Sequence, residues 1–168
     1  GGIINQDLME LIRWNVRTPD EVEGDILSYV TSTETAAAQL VLMMREFGLA
    51  DLDALADTII ERSRAATEAA IAALPNGTFR NRLRLDGFGQ AIELVCSLTI
   101  EDRHVLIDYT GSSPASANGI KVVLNYCKAY SAFGVRCVVA PEVPNNAGSL
   151  APIVITAPED CIVNATRP

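Results

Sequence analysis

The sequence has one histidine, His104, and four widely spaced cysteines, Cys96, Cys127, Cys137 and Cys161, with no Cys-x-x-Cys pair. That donor set argues against a zinc site, and no metal ligands are assigned. Each cysteine stands in an apolar stretch, which suits reduced, buried thiols in a cytosolic protein. On one helix, Cys127 and Cys137 would stand about 15 Å apart, beyond disulfide reach. Aromatic residues are scarce at 5%, so Leu, Ile, Val and Ala must build the core. Basic charge is also short: a net charge of -8 argues against nucleic acid or an anionic membrane as partner. No apolar run is long enough to cross a bilayer, the Ala-rich segment near residue 70 being broken by Glu61, Arg62, Arg64 and Glu68. Gly1 to Val16 lacks the basic start and apolar block of a secretory leader, so a cytoplasmic location is expected.

What is present fits a globular protein: 168 residues, 49% hydrophobic and 20% charged. Both ends read as cuts, Gly1-Gly2 in a loop and Arg167-Pro168 after a turn, so a piece of something larger is expected. Leu8, Leu11 and Ile12 follow helical spacing, with Asn5 placed to cap. Thr18-Pro19-Asp20-Glu21 reads as a helix start, with Thr18 as N-cap, Pro19 in the first turn and Glu21 closing a capping box. The helix should run to about Phe47, with apolar or small residues at 26, 29, 33, 36, 40, 43 and 47 forming a seam, and Gly48-Leu49 should end it in a left-handed cap. Asp51 to Ala73 reads as a second helix with Leu52, Leu55, Ile59, Ala66, Ala69, Ala70 and Ala73 inside. The two should form a long helical hairpin, which Pro75-Asn76-Gly77 terminates.

Beyond residue 77 the period changes to two. Phe79, Leu83 and Leu85 alternate with Arg80, Arg82 and Arg84. Ile92 to Ile100 and Val105 to Tyr109 alternate in the same way, with turns at Asp86-Gly87-Phe88-Gly89 and Glu101-Asp102-Arg103. This pattern predicts a three-stranded antiparallel meander. Ile120 to Val139 is apolar and predicts a buried helix, and Ile153 to Thr156 a short strand. The fold class expected is α+β: a helical region over 1–77, then an α+β region over 78–168 with the meander packed on the buried helix.

Two small-residue bends flank that helix, and they carry the candidate cleft residues. In the first, Asp108-Tyr-Thr-Gly-Ser-Ser-Pro114, the backbone amides with Ser112 or Ser113 would suit an oxyanion or phosphate, while a tight turn closed by Asp108 and serine hydroxyls is the simpler reading. It lacks the lysine and spacing of a P-loop, and Gly-x-Ser-x-Gly is absent. In the second, Pro144-Asn-Asn-Ala-Gly148, two carboxamides offer a donor and an acceptor each to a ring amide or urea, or else form a turn. The candidates are Asp108, Thr110, Gly111, Ser112, Ser113, Asn118, Asn145, Asn146 and Gly148, and the two bends are expected side by side as one wall of a pocket. No catalytic residue is assigned. His104 reads as structural or solvated. Asp51, Asp53 and Asp57 read as first-turn acids facing water. The Arg80, Arg82, Arg84 row suits a solvated strand face or an acidic partner surface, and also deters edge pairing.

Five segments, in order, carry a resemblance: Asn15-Val-Arg-Thr-Pro-Asp-Glu-Val-Glu-Gly-Asp25, Ala73-Leu-Pro-Asn-Gly-Thr-Phe79, Asp108 to Pro114, Pro144 to Gly148, and Ala157-Pro-Glu-Asp160. Together they resemble the hydantoinase B / oxoprolinase large subunits, over nearly the whole chain. The resemblance implies a central fragment of the B-type subunit of an ATP-dependent amidohydrolase that opens a hydantoin- or 5-oxoproline-like ring. ATP and a divalent metal would act in the parent complex, none being expected bound to this fragment, which should be inactive alone. A hydantoinase A-type subunit is the implied partner and a small cyclic amide or urea the implied substrate. Related acetone and acetophenone carboxylase subunits leave a carboxylase open, and a scaffold docking the A-type subunit is the non-catalytic alternative. The family's metal-binding segment is expected upstream of the part seen here.

Overall fold

A computed structural model of the protein describes residues 2–166; Gly1 and Arg167-Pro168, where the cut ends were read, lie outside the described residues. The fold class is α+β, as expected. The chain divides into two compact units, Gly1–Asp53 and Ala54–Pro168.

The first unit holds α1 (Gln6–Asn15) and α2 (Pro19–Glu46). Asn5 caps α1, its Oδ1 accepting from Leu8 N–H at 3.2 Å. At α2 the expectation is met only in part. Thr18 is the N-cap and Pro19 opens the helix, but Thr18's side chain makes no capping hydrogen bond. The acids of that turn serve α1 instead: Arg13 donates to Asp20 at 2.8 Å and also to Glu23. These two carboxylates raise the Arg13 pKa, the hydrogen bond that Arg13 donates to Asp20 most. The far end is as expected, with Gly48 at φ +64 and Leu49 N–H bonding Met44 O at 2.8 Å. The seam reading is corrected: α2 has no buried residue. Spacing shows which residues share a face, but whether that face is covered depends on a neighbour. The two helices of the expected hairpin fall in different units.

The second unit holds α3 (Asp53–Ala72), β1 (Gly77–Leu85), β2 (Ile92–Glu101), β3 (His104–Asp108), α4 (Leu124–Val138), α5 (Ala147–Leu150) and β4 (Ile153–Thr156). The meander forms in the expected order, with Leu98 opposite Ile107 and Ile100 opposite Val105. Its second turn puts Asp102 at φ 52, held by its N–H to Asn76 Oδ1 at 3.0 Å. β4 adds a fourth strand parallel to β3, with Val105 beside Ile153 and Ile107 beside Ile155. A parallel neighbour requires a crossover, and α4 supplies it. The core is aliphatic: Ile71, Ile100, Val105, Ile107, Ile153 and Ile155 pack with Cys127 and Ala132 of α4. Each such aliphatic side chain contributes about 1.5–3 kcal/mol when fully buried.

Three expectations are corrected here. The inner stripe of α3 is Ser63, Thr67 and Ile71 with Glu68, while Ala66, Ala69 and Ala73 are exposed. Thr67 Oγ1 bonds Ser63 O at 3.0 Å, so burial leaves its hydroxyl satisfied. The helix expected to be buried begins at Leu124, not Ile120, and only Cys127, Ala132 and Arg136 of it are buried, while Tyr126, Tyr130, Phe133 and Val138 are exposed. The β-branched stretch before it is extended and joins the C-terminal segment: Val122 N–H bonds Ile162 O and Ala165 N–H bonds Val122 O, both at 3.0 Å. Of the four cysteines, Cys127 and Cys161 are buried, Cys96 is partly buried and Cys137 is exposed; all are free.

Candidate functional site

The first bend finishes a ladder that β3 leaves incomplete. β3 pairs β2 only from Ser97 to Glu101, which leaves the inner edge of β2 open further back. Ser112 Oγ accepts from Val95 N–H at 3.0 Å and donates to Val95 O at 3.1 Å. Ser113 Oγ accepts from Glu93 N–H at 2.9 Å, and its own N–H bonds Glu93 O at 2.9 Å. Two serines thus replace a strand residue by residue, because buried backbone groups need partners. Asp108 Oδ1 accepts from Thr110 N–H at 3.1 Å and Thr110 Oγ1 at 2.8 Å, closing the turn. Gly111 takes φ +94 against Val95. The oxyanion reading of this bend is corrected. The N–H groups of Thr110, Ser112 and Ser113 and both serine hydroxyls are engaged internally, and the Asp108 carboxylate would repel an anion.

The second bend docks a helix turn. Asn146 caps α5: its Oδ1 accepts from Gly148 N–H at 2.9 Å and Ser149 N–H at 3.1 Å, and Ser149 Oγ accepts from Asn146 N–H at 3.0 Å. Its Nδ2 donates to Ser63 Oγ on α3 at 2.8 Å. Gly148 lies so close to α3 that a Cβ there would stand 1.9 Å from Ile60 O. Asn146 and Gly148 therefore hold α5 against α3, and the paired-carboxamide reading reduces to Asn145, which is exposed. Asn118 stands apart on an exposed turn whose Ile120 N–H returns to Asn118 O at 2.8 Å.

The expectation that the bends sit side by side is corrected by the parallel strand. Asp108 ends β3 beside Thr156, the end of β4, whereas Asn146 and α5 lead into the start of β4. A chain that leaves one strand and enters a parallel neighbour must do so at opposite ends. The bends therefore lie at the two ends of the β3–β4 pair.

The structure instead offers one broad cleft of ≈ 1010 Å³ between α4, the strap Pro141–Asn145 and β4. Its lining is largely apolar, including Ala132, Phe133, Leu150 and Ile153. Asn125, Asn145, Lys128, Glu142 and Arg136 bring polar or charged groups to it, and only Asn145 was singled out from sequence. Beneath the strap, Arg136 is buried and donates through Nη2 to Val143 O. Its Nε and Nη1 are closed off from solvent and have no partner among the described residues. Its signal in the sequence was a lone arginine in an apolar helix. Ala140, at φ 64, turns the chain from α4 into this strap. Behind the cleft, Tyr109 Oη and Ser131 Oγ lie 2.8 Å apart and tie the end of β3 to α4. Burial raises the Tyr109 pKa against that hydrogen bond, and burial likewise raises the Cys127 and Cys96 thiols. Such a cleft suits a neutral or mostly apolar ring with one amide edge.

The other sequence candidates stay apart. His104 is exposed at the start of β3, and Asp51, Asp53 and Asp57 are exposed before and along α3. Among the described residues no group of three or more His, Cys, Asp or Glu is placed to hold a metal, and no helix is long and apolar enough to cross a membrane.

Comparison with known proteins completes the picture. The family model for Hydantoinase B/oxoprolinase matches residues 1–168. A putative B-type subunit of a D-/L-hydantoinase from Pseudomonas sp. is 22% identical over 182 residues, covering 99% of this chain and 31% of that protein. An uncharacterized protein of Methanocaldococcus jannaschii is 23% identical over 167 residues, covering 99% and 30%. Among solved structures, the ATP-dependent caprolactamase from Pseudomonas jessenii matches with TM-score 0.82 at 18% identity, covering 99% of this chain and 29% of that one. Nucleotide-free acetone carboxylase matches with TM-score 0.80 at 16% identity, covering 97% and 24%. The chain thus spans less than a third of the length of the relatives it matches.

Proposed function

The chain belongs to the hydantoinase B/oxoprolinase family, and from that premise we propose that it serves as part of the B-type subunit of an ATP-dependent enzyme that opens a cyclic amide such as a hydantoin or 5-oxoproline-like ring. The family match along the full chain carries this reading. The likeness to the B-type subunit of a hydantoinase supports it, as does the fold shared with an ATP-dependent caprolactamase.

The described residues do not fit a nucleotide or metal role. The amides of the first bend are engaged, and no acidic or imidazole cluster is placed to ligate an ion. In this reading ATP and a divalent metal act elsewhere in the parent complex, with an A-type partner. The chain's own contribution is to hold the ring in the α4–β4 cleft. Apolar side chains take the ring carbons, and the Asn145 carboxamide pairs with an amide N–H or carbonyl. Holding a reactant in place contributes to rate by positioning.

The test uses the full B-type subunit with its A-type partner. ATP-dependent ring opening is expected, with N145A lowering kcat/KM about tenfold through one lost hydrogen bond. Acetone carboxylase shares the fold, so the rival is ketone carboxylation; bicarbonate-dependent ATP turnover without ring opening would establish it.

A further inference from the structure

The sheet ends in two edge strands, the long β1 and the short β4. β1 pairs only with β2, so among the described residues the outer edge of Gly77–Leu85 presents backbone groups to no neighbouring strand. In an antiparallel pair these outward groups fall on alternate residues. Arg82 marks which: its N–H is met by the side chain of its own neighbour Asn81 at 2.9 Å. The outward set therefore includes Arg80, Arg82 and Arg84.

The two faces of this strand differ sharply. Phe79, Leu83 and Leu85 share the sheet face that β2 and β3 bury through Leu98, Ile100, Val105 and Ile107, since Phe79 lies opposite Leu98 and Leu98 opposite Ile107. Yet they remain 53%, 53% and 42% exposed. The other face carries Arg80, Arg82 and Arg84, of which only Arg82 has a carboxylate within reach among the described residues, Glu93 at 3.7 Å. In a chain of net charge -8, this is a local reversal of sign.

We propose that the β1 edge receives an extended segment from outside these 168 residues whose side chains alternate between carboxylate and apolar. Such a strand would bond the outward backbone groups, lay carboxylates beside the arginines and continue the apolar face along Phe79 and Leu83. A second copy of this chain does not fit. Antiparallel β1–β1 pairing centred on Arg82 sets Arg82 against Arg82 and Arg80 against Arg84, and like charges directly opposite repel. Nor does this chain supply the strand itself, since its described strands all lie within the sheet.

The probe is a nine-residue, end-blocked peptide of alternating Glu and Val, with a Lys/Val peptide as control. Binding to the 168-residue chain is followed by fluorescence anisotropy, and amide exchange is measured along Gly77–Leu85. The Glu/Val peptide should bind and slow exchange at Arg80, Arg82 and Arg84, and the Lys/Val peptide should do neither. The R80E/R82E/R84E chain should bind the Glu/Val peptide about tenfold more weakly and gain affinity for the Lys/Val peptide. If that variant unfolds, the two-peptide contrast on the unaltered chain decides alone. Equal binding of both peptides, unchanged exchange along β1, or self-association of the chain through this strand would each overturn the proposal.

Discussion

The two bends look alike on paper and behave differently in the fold. Both are short, rich in Gly, Ser and Asn, and border the same helix. The first is a substitute strand, with Ser112 and Ser113 completing the β2 ladder through side chains. The second is a docking clip, with Asn146 capping α5 and gripping Ser63 while Gly148 presses on Ile60. Small polar residues of this kind are equally suited to binding a ligand and to satisfying their own backbone. Which use prevails depends on whether a neighbouring element has unpaired groups at the right distance. The second bend leaves one carboxamide, Asn145, for the cleft.

The comparison breaks first at the glycines. Gly148→Ala should be the most damaging change, at ~3 kcal/mol or failure to fold, because the new carbon has backbone and not a flexible side chain in its way. Gly111→Ala meets Val95 only at 3.7 Å and should cost ~1–2 kcal/mol, through its left-handed backbone alone. Urea midpoints would rank them, and equal losses would show that the two bends are held alike.

Next come the polar groups. Asn146→Ala should lose ~2 kcal/mol by removing a cap and leaving Ser63 without its partner. Asn145→Ala should stay within ~0.5 kcal/mol, as an exposed site does. A large stability loss at Asn145 would return it to a structural role and weaken its assignment to the cleft. Ser112→Ala should cost ~1–3 kcal/mol by orphaning both backbone groups of Val95. Faster amide exchange at Val95, with α5 unaffected, is the local signature.

The smallest effect is a pH slope. Burial holds the Cys127 and Cys96 thiols and the Tyr109 hydroxyl above their ordinary pKa values. Below those ordinary values both folded and unfolded chains are protonated, and stability is intact. As pH rises past them the unfolded chain ionises first, so stability should fall toward the raised folded values. Cys127→Ala should flatten that alkaline slope. At pH 8, Cys137 should react with a maleimide well before Cys127, since only Cys137 is exposed.

Much of the fold was legible in the sequence because it rests on local chemistry. The shift from a 3.6 to a two-residue period located the meander, Asn5 and Gly48 marked helix ends through their own hydrogen bonds and dihedral freedom, and five ordered motifs pointed to the family. The site was less legible. Asn145 was named from the sequence and lines the cleft; Arg136 and the cleft itself were not foreseen, because a cleft is made by the distance between α4 and β4 and not by any run of residues. The buried side of α3 was missed for a related reason: alanine spacing suggested one stripe, whereas α5 packs at Ser63 and the core of sheet and α4 takes Ile71.

Sequence alone determined where the long helices and the strands form, though not the start of α4 or the short α5, because backbone preference and side-chain alternation act within a few residues. Only the tertiary structure decided that β4 runs parallel to β3, and with it that the bends stand at opposite strand ends, that the serines are consumed by β2, and that β1 keeps a free edge. Those outcomes depend on which unpaired groups meet across long chain separations, and there satisfying buried backbone outweighs any local preference.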